Sequence, residues 1–276
     1  MRNRIFIQPA RAMSLAEVQR VAPSIFAQAP HSKMSGRYTL IPTSKVLEAL
    51  LHVGFVPTRV MQARARNESG VSAAKHLVRL RHTDHLDPKA AVDAVVPEVV
   101  LINSHDGSSS YQLHAGLYRF ICCNGMVVAD GCVGSLSIRH TGNVVNEVIE
   151  GVYEIVKETP KILGRVADYR GVNVDDNEAA ILAQAALSLK YEIGTTPISA
   201  DQLIVAQRAQ DGGPDLWSRI NVIQENLLRG GLRGRLSHGR RLRTRAVTSV
   251  GEDVRLNKAL WRLADEFAKL KMTQLP

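Results

Sequence analysis

The hydrophobic pattern of this 276-residue chain changes its period once, at about Asn143. In the segments before that point, apolar and polar residues alternate, as they do along half-buried strands. In the segments after it, apolar residues recur every three or four positions, which is the spacing of amphipathic helices. Because strands come first and helices follow, the sequence predicts an α+β fold. We expect an N-terminal antiparallel sheet with a packed helix, followed by a mainly helical C-terminal half.

Three regions are predicted along the chain. Residues 1–35 carry three prolines and are expected to form a loosely structured lead-in. Residues 36–158 hold the strand-like segments and are predicted to form an α+β core domain that includes a basic hairpin. Residues 159–276 are predicted to form a helical C-terminal region, which contains the arginine- and glycine-rich segment 229–245.

The composition is that of a globular chain, since 45% of the residues are hydrophobic and 22% are charged. No apolar run approaches the roughly 20 residues that span a bilayer, and the N-terminal segment lacks the apolar core of a secretion signal. The three cysteines, Cys122, Cys123 and Cys132, have no CxxC spacing and cannot all pair with one another. These features predict a reduced, cytoplasmic protein with no membrane partner.

Basic and apolar residues alternate in two neighbouring segments, VMQARAR and KHLVRLRH. Eight residues, NESGVSAA, separate them, so the two segments are predicted to pair as a hairpin. If the apolar faces turn to the core, the basic side chains share one outward face that suits a phosphate backbone. These side chains are Arg64, Arg66, Lys75, Arg79 and Arg81. A solvated face of an antiparallel sheet explains the same pattern equally well.

The strongest functional signal is the segment RGGLRGRLSHGRRLRTR, which holds seven arginines, four glycines and no acid. The whole chain has 35 Lys and Arg against 26 Asp and Glu, a net charge of +9, which fits a polyanionic partner. Arginine binds phosphate through two parallel hydrogen bonds and stacks on bases. The predicted nucleic-acid contacts in this segment are Arg233, Arg235, Arg240, Arg241, Arg243 and Arg245. The alternative is that these arginines pair with acids of neighbouring helices.

The loop SHDGSSS combines serine, histidine and aspartate, which are the residue types of a hydrolytic triad. Side chains of adjacent residues such as His105 and Asp106 diverge along a strand, so the local triplet lacks the required geometry. We assign no catalytic residue here. Asp-Gly followed by serines is also ordinary turn chemistry, and a phosphate held by loop amides and hydroxyls at Ser104, His105, Ser108 and Ser109 is a possible function that ranks slightly above catalysis. A hydrolase-type enzyme centred on this loop is the minor alternative.

No cofactor or metal is predicted. The chain has neither GxxxxGK[ST] nor GxGxxG, so nucleotide-driven chemistry has no support. His76, His82 and His85 are close in sequence but lack a recognised zinc spacing. His76 and His82 share the apolar parity of their strand, where hydrogen-bonded core histidines are common.

Four stretches of the chain resemble a known family: SGRYTLIPTSKVLEAL, KHLVRLR, PEVVLINSHDGSSSYQLHAGLYRFICCNGMVV, and TRAVTSV with RLNKALWRLADEF. They are similar to the prophage- and plasmid-borne family called domain of unknown function 932, over about residues 36–269. The resemblance implies a cytoplasmic protein of mobile genetic elements, found among genes for plasmid and phage maintenance and for evading host defences. It transfers no catalytic residue, because none is established for the family.

A second similarity concerns only the order of the elements. A helix, a basic hairpin, further strands and another helix, over about residues 38–156, resemble the core of single-strand annealing proteins of phage and eukaryotic recombination. Those proteins form rings and lay single-stranded DNA in a basic groove. The similarity therefore implies single-stranded DNA as a ligand and a homo-oligomer as the assembly.

Taken together, these patterns predict a non-enzymatic nucleic-acid-binding protein of a mobile element. Single-stranded DNA is the favoured ligand and annealing the expected activity. An alternative from another class is a counter-defence or regulatory protein whose basic surface binds a host protein. The same arginines serve both hypotheses.

Overall fold

The computed structural model divides into two compact units, Met1–Thr159 and Pro160–Pro276. It describes residues 11–34, 40–65, 68–87, 95–120, 124–129, 135–139, 143–192, 194–236 and 238–273. Arg66 and the three cysteines lie outside the described residues.

The first unit is built on one antiparallel sheet. Its elements are α1 (Leu15–Val21), α2 (Thr43–His52), β1 (Phe55–Gln62), α3 (Glu68–Val71), β2 (His76–His82), β3 (Val95–Asn103), β4 (Tyr111–Arg119), β5 (Asn124–Val127), β6 (Leu136–Ile138) and α4 (Val144–Lys157). The strand order is β1-β2-β3-β4-β5, and β6 also pairs with β4. β1 and β2 form the predicted hairpin, although their connection, residues 63–75, is longer than predicted and contains α3.

The lead-in is packed more tightly than the sequence predicts. Val18 and Ile25 are fully buried. The hydroxyl of Ser24 donates to Gln62 Oε1 at 2.8 Å and lies 2.8 Å from His76 Nδ1. The expectation of a loose segment therefore fails at these residues, because their side chains complete the core beside β1 and β2.

His76 lies at the centre of a buried polar network. Its Nε2 is 2.9 Å from the hydroxyl of Thr43, the first residue of α2, and Asn103 Nδ2 donates to the same hydroxyl at 3.0 Å. The Tyr111 hydroxyl donates to the carbonyl of Ile41 at 2.7 Å. The prediction of a hydrogen-bonded core histidine is thus confirmed for His76. Through these bonds the start of α2 is tied to β2, β3 and β4.

Both faces of β2 are buried, and the second face carries ion pairs. Arg79 and Arg81 are each 1% exposed. The carboxylate of Glu98 on β3 accepts from Arg79 Nη1 at 3.1 Å and from Arg81 Nη2 at 2.7 Å. Arg79 Nη2 also donates to the carbonyl of Gly125 at 2.9 Å. The Arg81 guanidinium carbon lies 3.8 Å from the centre of the Tyr118 ring, which is a cation–π contact.

The predicted outward basic face is therefore wrong for Arg79 and Arg81. The prediction assumes that one face of the sheet is solvated, whereas this strand is covered on both faces. Burial of two guanidiniums is tolerated because Glu98 supplies a shared carboxylate. Gly125 makes room for the arrangement, since a Cβ at this position would lie 2.2 Å from Arg79 Nη1.

The second unit is mainly helical, and the α+β prediction is confirmed. Its elements are α5 (Thr159–Gly171), α6 (Asp176–Lys190), α7 (Leu216–Arg229), β7 (Arg233–Arg235), β8 (Arg241–Arg243) and α8 (Val250–Thr273). In its core, the ring centre of Trp261 lies 5.5 Å from Tyr169 and 6.5 Å from Trp217. The Tyr169 hydroxyl donates to Asp265 Oδ1 at 2.6 Å.

Among the helices that the structure describes in either unit, none has the length and the apolar composition of a membrane-spanning segment.

Replacing Glu98 with glutamine is expected to lower the free energy of unfolding of the first unit by about 3–5 kcal/mol, because two buried guanidiniums lose their carboxylate. Urea denaturation followed by far-UV circular dichroism measures this change. Both tryptophans, Trp217 and Trp261, lie in the second unit, so their fluorescence reports separately whether that unit is affected.

Glu154→Gln is the matched control, because it removes an exposed ion pair with Lys157. It should change the free energy of unfolding by less than about 0.5 kcal/mol. A loss for Glu98→Gln no larger than that of the control would contradict a stabilising role for the buried carboxylate.

Candidate functional site

The arginine- and glycine-rich segment of the second unit folds into a two-stranded hairpin, called the arginine ribbon below and defined as residues 233–243. β7 and β8 pair antiparallel, with Arg233 opposite Arg243 and Arg235 opposite Arg241. The turn is closed by a hydrogen bond from the amide of Gly239 to the carbonyl of Leu236, at 2.8 Å. Gly239 has φ +86°, a left-handed conformation that glycine adopts without the steric cost of a side chain.

The underside of the ribbon is anchored to the helical unit by backbone contacts. The amide of Arg235 donates to the carbonyl of Pro197 at 2.8 Å, and Gln202 Nε2 donates to the carbonyl of Arg233 at 3.0 Å. A Cβ on Gly234 would lie 2.3 Å from the Pro197 carbonyl oxygen. Because successive residues of a strand point to opposite faces, the arginines on either side of Gly234 point away from this anchor.

The exposed face of the ribbon brings like charges together. Residues directly opposite in an antiparallel pair have Cα atoms about 4.5–5.5 Å apart, and like charges in such pairs are destabilising. Six arginines in and beside the ribbon are exposed, and their side chains make no ion pair or hydrogen bond with the described part of the chain. These are Arg233, Arg235, Arg240, Arg241, Arg243 and Arg245.

The alternative interpretation is that the arginines of segment 229–245 pair with acids of neighbouring helices. Arg229 does so. Arg229 forms an ion pair with the buried carboxylate of Glu225, one turn earlier on α7. Arg208 donates to the same carboxylate through both terminal nitrogens, at 2.8 and 2.7 Å, and to Asp211 at 2.8 Å. The hydrogen bonds with Glu225 are the main reason why the pKa of Arg208 is raised. The acid that lies nearest in sequence to the ribbon is therefore already neutralised by two other arginines.

Exposed guanidiniums in pairs are suited to phosphate. Each can donate two parallel hydrogen bonds to phosphate oxygens, and these charge-assisted bonds are about twice as strong as neutral ones. Thr196, Ile198, Ser199 and Gln202 line a shallow groove together with ribbon arginines, which places hydroxyls, an amide and an apolar side chain beside the charges. The arrangement can therefore hold a phosphate and contact the group attached to it.

The basic residues of the β1–β2 hairpin do not form a comparable surface. Arg64 is exposed and Lys75 is half-buried, and both lie beyond the strand ends, in the connection. Arg79 and Arg81 are enclosed with Glu98. Among the described residues that were predicted for this face, only Arg64 is exposed.

The SHDGSSS loop turns most of its predicted ligand groups inward. Ser104 and His105 are fully buried, and Ser109 is buried as well. The ring centre of His105 lies 5.5 Å from that of His76, and its amide donates to the carbonyl of Ala73. The amide of Ser108 donates to Asp106 Oδ1 at 2.9 Å. Two of the loop amides that would cradle a phosphate are therefore used within the fold.

Asp106 gives this loop a negative charge at its surface. Partial burial alone would raise its pKa, but hydrogen bonds from Ser108 and Ser104 outweigh burial, and the pKa is lowered overall. A carboxyl whose pKa is lower in the folded state stabilises the fold above its unfolded pKa, and the contribution is lost as the pH falls through the folded value. The charged form therefore persists at neutral pH and disfavours an anion here.

The sequence pattern identifies the arginines of the ribbon but does not predict which of them lie opposite one another in the hairpin. The signal is present, because RGR and RLR each alternate arginine with a small or apolar residue on either side of LSHGR. The anchors Pro197 and Gln202 lie more than thirty residues away and carry no such signal.

Among the described residues, no three His, Cys, Asp or Glu side chains come together in a group that could hold a metal ion.

Gly234→Ala is expected to displace the ribbon from its anchor, because the added methyl group would overlap the Pro197 carbonyl. Overpacking of this kind costs about 1–3 kcal/mol, measured as the free energy of unfolding of the second unit by tryptophan fluorescence in urea. Gly251→Ala on α8 is the matched control, because nothing lies within 4 Å of its Cβ position. The control should be neutral or stabilising, and equal losses in both variants would contradict the anchoring contact.

Comparison with known proteins places the chain in a family. The family model of the Domain of unknown function (DUF932) matches residues 30–261. UPF0380 protein YafZ of Escherichia coli (strain K12) is 38% identical over 259 residues, which cover 94% of this chain and 93% of that protein. UPF0380 protein YfjQ of the same organism is similar to the same extent, 38% over 259 residues with the same coverage. Among solved structures, none matches. The chain therefore belongs to the family of the domain of unknown function DUF932, as the motifs in its sequence predict.

Proposed function

We propose that this protein binds nucleic acid through the arginine ribbon, with single-stranded DNA as the favoured ligand and without catalysing a reaction itself. The observation that carries the proposal is the pairing of Arg233 with Arg243 and of Arg235 with Arg241, without a carboxylate from the described residues. Facing arginines repel one another until an anion lies between them. A phosphodiester backbone supplies such anions in series.

The dimensions of the ribbon favour one strand of nucleic acid over two. Arginines two residues apart on one strand are separated by about 6.8 Å, and the two strands lie about 4.8 Å apart. This patch is smaller than the major groove of a duplex, which is about 12 Å wide. A compact group of guanidiniums is suited to neighbouring phosphates of a single backbone, and arginine also stacks on unpaired bases.

The setting proposed for this activity rests on the family resemblance of the sequence. As the resemblance implies, the protein would act in the cytoplasm as part of a mobile genetic element, where annealing of single strands is the expected use of the binding. An acidic surface on a host protein is the competing ligand, because the same arginines would meet it. Neither alternative requires the SHDGSSS loop, whose Ser104 and His105 are buried.

The first test is fluorescence anisotropy of labelled single- and double-stranded oligonucleotides over a salt series. Arg233, Arg235, Arg241 and Arg243 are replaced together by glutamine. Loss of four phosphate contacts should weaken binding to every sequence and reduce the slope of log K against log salt by about 3, since each contact to a single strand contributes about 0.7. Light scattering on the same preparation gives the oligomeric state.

The matched control removes the same charge from the same unit. Lys161, Arg170, Arg262 and Lys269 are exposed on α5 and α8, do not line the groove beside the ribbon, and are replaced together by glutamine. If binding depends on net charge alone, both variants lose affinity equally and the ribbon proposal fails. If the unaltered protein binds no oligonucleotide at low salt, nucleic-acid binding is wrong and the acidic host protein becomes the ligand to seek.

A further inference from the structure

The first unit contains a small aromatic pocket far along the chain from the ribbon. It has a volume of about 210 Å³ and lies between the sheet and α4. Val99 and Ile155, both buried, form part of its lining, and Pro97 adds a further apolar surface. Pockets for drug-sized ligands measure about 300–1,000 Å³, so this one is large enough for a single ring system and too small for an extended ligand.

One wall of the pocket is a row of three rings. Phe55 and His82 meet edge to face, with centres 5.2 Å apart and planes at 74°. His82 and His85 continue the row, with centres 6.4 Å apart and planes at 66°. Asp84 holds the middle ring, because its carboxylate lies 3.2 Å from His82 Nδ1. The middle ring of the row therefore has a partner within the structure.

The other wall of the pocket is formed by residues of α4, two of which leave large side chains exposed to solvent. Tyr153 is 45% exposed and Val156 is 38% exposed, and both line the pocket. They lie three residues apart on the helix and so share one side of it. Both side chains are therefore accessible to a ligand that enters the pocket.

We infer that this pocket binds one nucleobase, which stacks on one ring of the row and on Tyr153. A base is a flat ring system with donors and acceptors on its edge. A neutral imidazole has one donor and one acceptor nitrogen, so His85 can match such an edge in either sense, whereas Asp84 already contacts His82 Nδ1. The apolar floor accepts the ring faces, and aromatic side chains are the usual stacking platform for unpaired bases.

The base can come from two sources, a free nucleoside or a flipped or unpaired position of a strand. The inference goes beyond the ribbon proposal and does not depend on it, because the pocket is lined by residues of the first unit only. If both hold, one protein contacts phosphate with one unit and a base with the other.

The test uses 2-aminopurine, whose fluorescence is quenched on stacking, as the free deoxyribonucleoside and as one position within a single-stranded oligonucleotide. The full chain is expected to quench the probe and bind it saturably. Tyr153→Ala removes one stacking partner and should weaken binding at least about fivefold. Val156→Trp fills the mouth of the pocket and should abolish quenching. Both residues are exposed, so neither variant is expected to unfold the unit, which circular dichroism verifies.

Glu150→Ala is the matched control, because Glu150 is exposed on α4 one turn earlier and does not line the pocket. The inference is supported if quenching of the nucleoside alone, or of both probes, is weakened by Tyr153→Ala, abolished by Val156→Trp and kept in the control. Quenching that survives Val156→Trp, or its absence with both probes, overturns it. The variant in which glutamine replaces the four ribbon arginines distinguishes this inference from the proposed function. It should lose affinity for the oligonucleotide and keep its affinity for the nucleoside.

Discussion

An arginine keeps its positive charge wherever the fold places it, so each guanidinium of this basic chain must find an anion or face water. The two units meet this constraint in different ways. In the sheet, Glu98 accepts hydrogen bonds from Arg79 and Arg81, and both arginines are enclosed. On α7, Glu225 does the same for Arg208 and Arg229. At the ribbon, the fold brings arginines together and the described residues supply no acid.

This difference separates structural arginines from candidate functional ones. A buried ion pair contributes little net stability, because desolvation offsets its attraction, but losing one partner is costly. Arg79 and Arg81 are therefore held in place and unavailable to a ligand. The ribbon arginines have no such restraint on their side chains, while their backbone is fixed through Pro197 and Gln202. Fixed backbone and unengaged charge together are what an anion-binding surface needs.

The period of the hydrophobic pattern is enough to predict the fold class, because alternation and helical spacing are local properties. It is not enough to predict which face of β2 meets water. The parity of Arg79 and Arg81 indicates a shared face, and they do share one, but their partner Glu98 lies on another strand. A single acid within the apolar run PEVVLIN is the only local signal of that pairing. The ribbon arginines are evident from composition, whereas their register depends on a turn at Gly239 and on Pro197, which is distant in sequence.

The register of the ribbon also has a cost in stability, because it places arginine opposite arginine. Two strands of three residues form a marginal hairpin by themselves, and repulsion across both arginine pairs weakens it further. Contacts below the ribbon offset part of this cost: Gly234 packs against Pro197, and Thr244 accepts from Gly231 and donates to Leu232 through its backbone. A phosphate between the guanidiniums turns the repulsion into attraction. Because a ligand that binds only the folded form stabilises it, we propose that an anion bound between the guanidinium groups stabilises the ribbon.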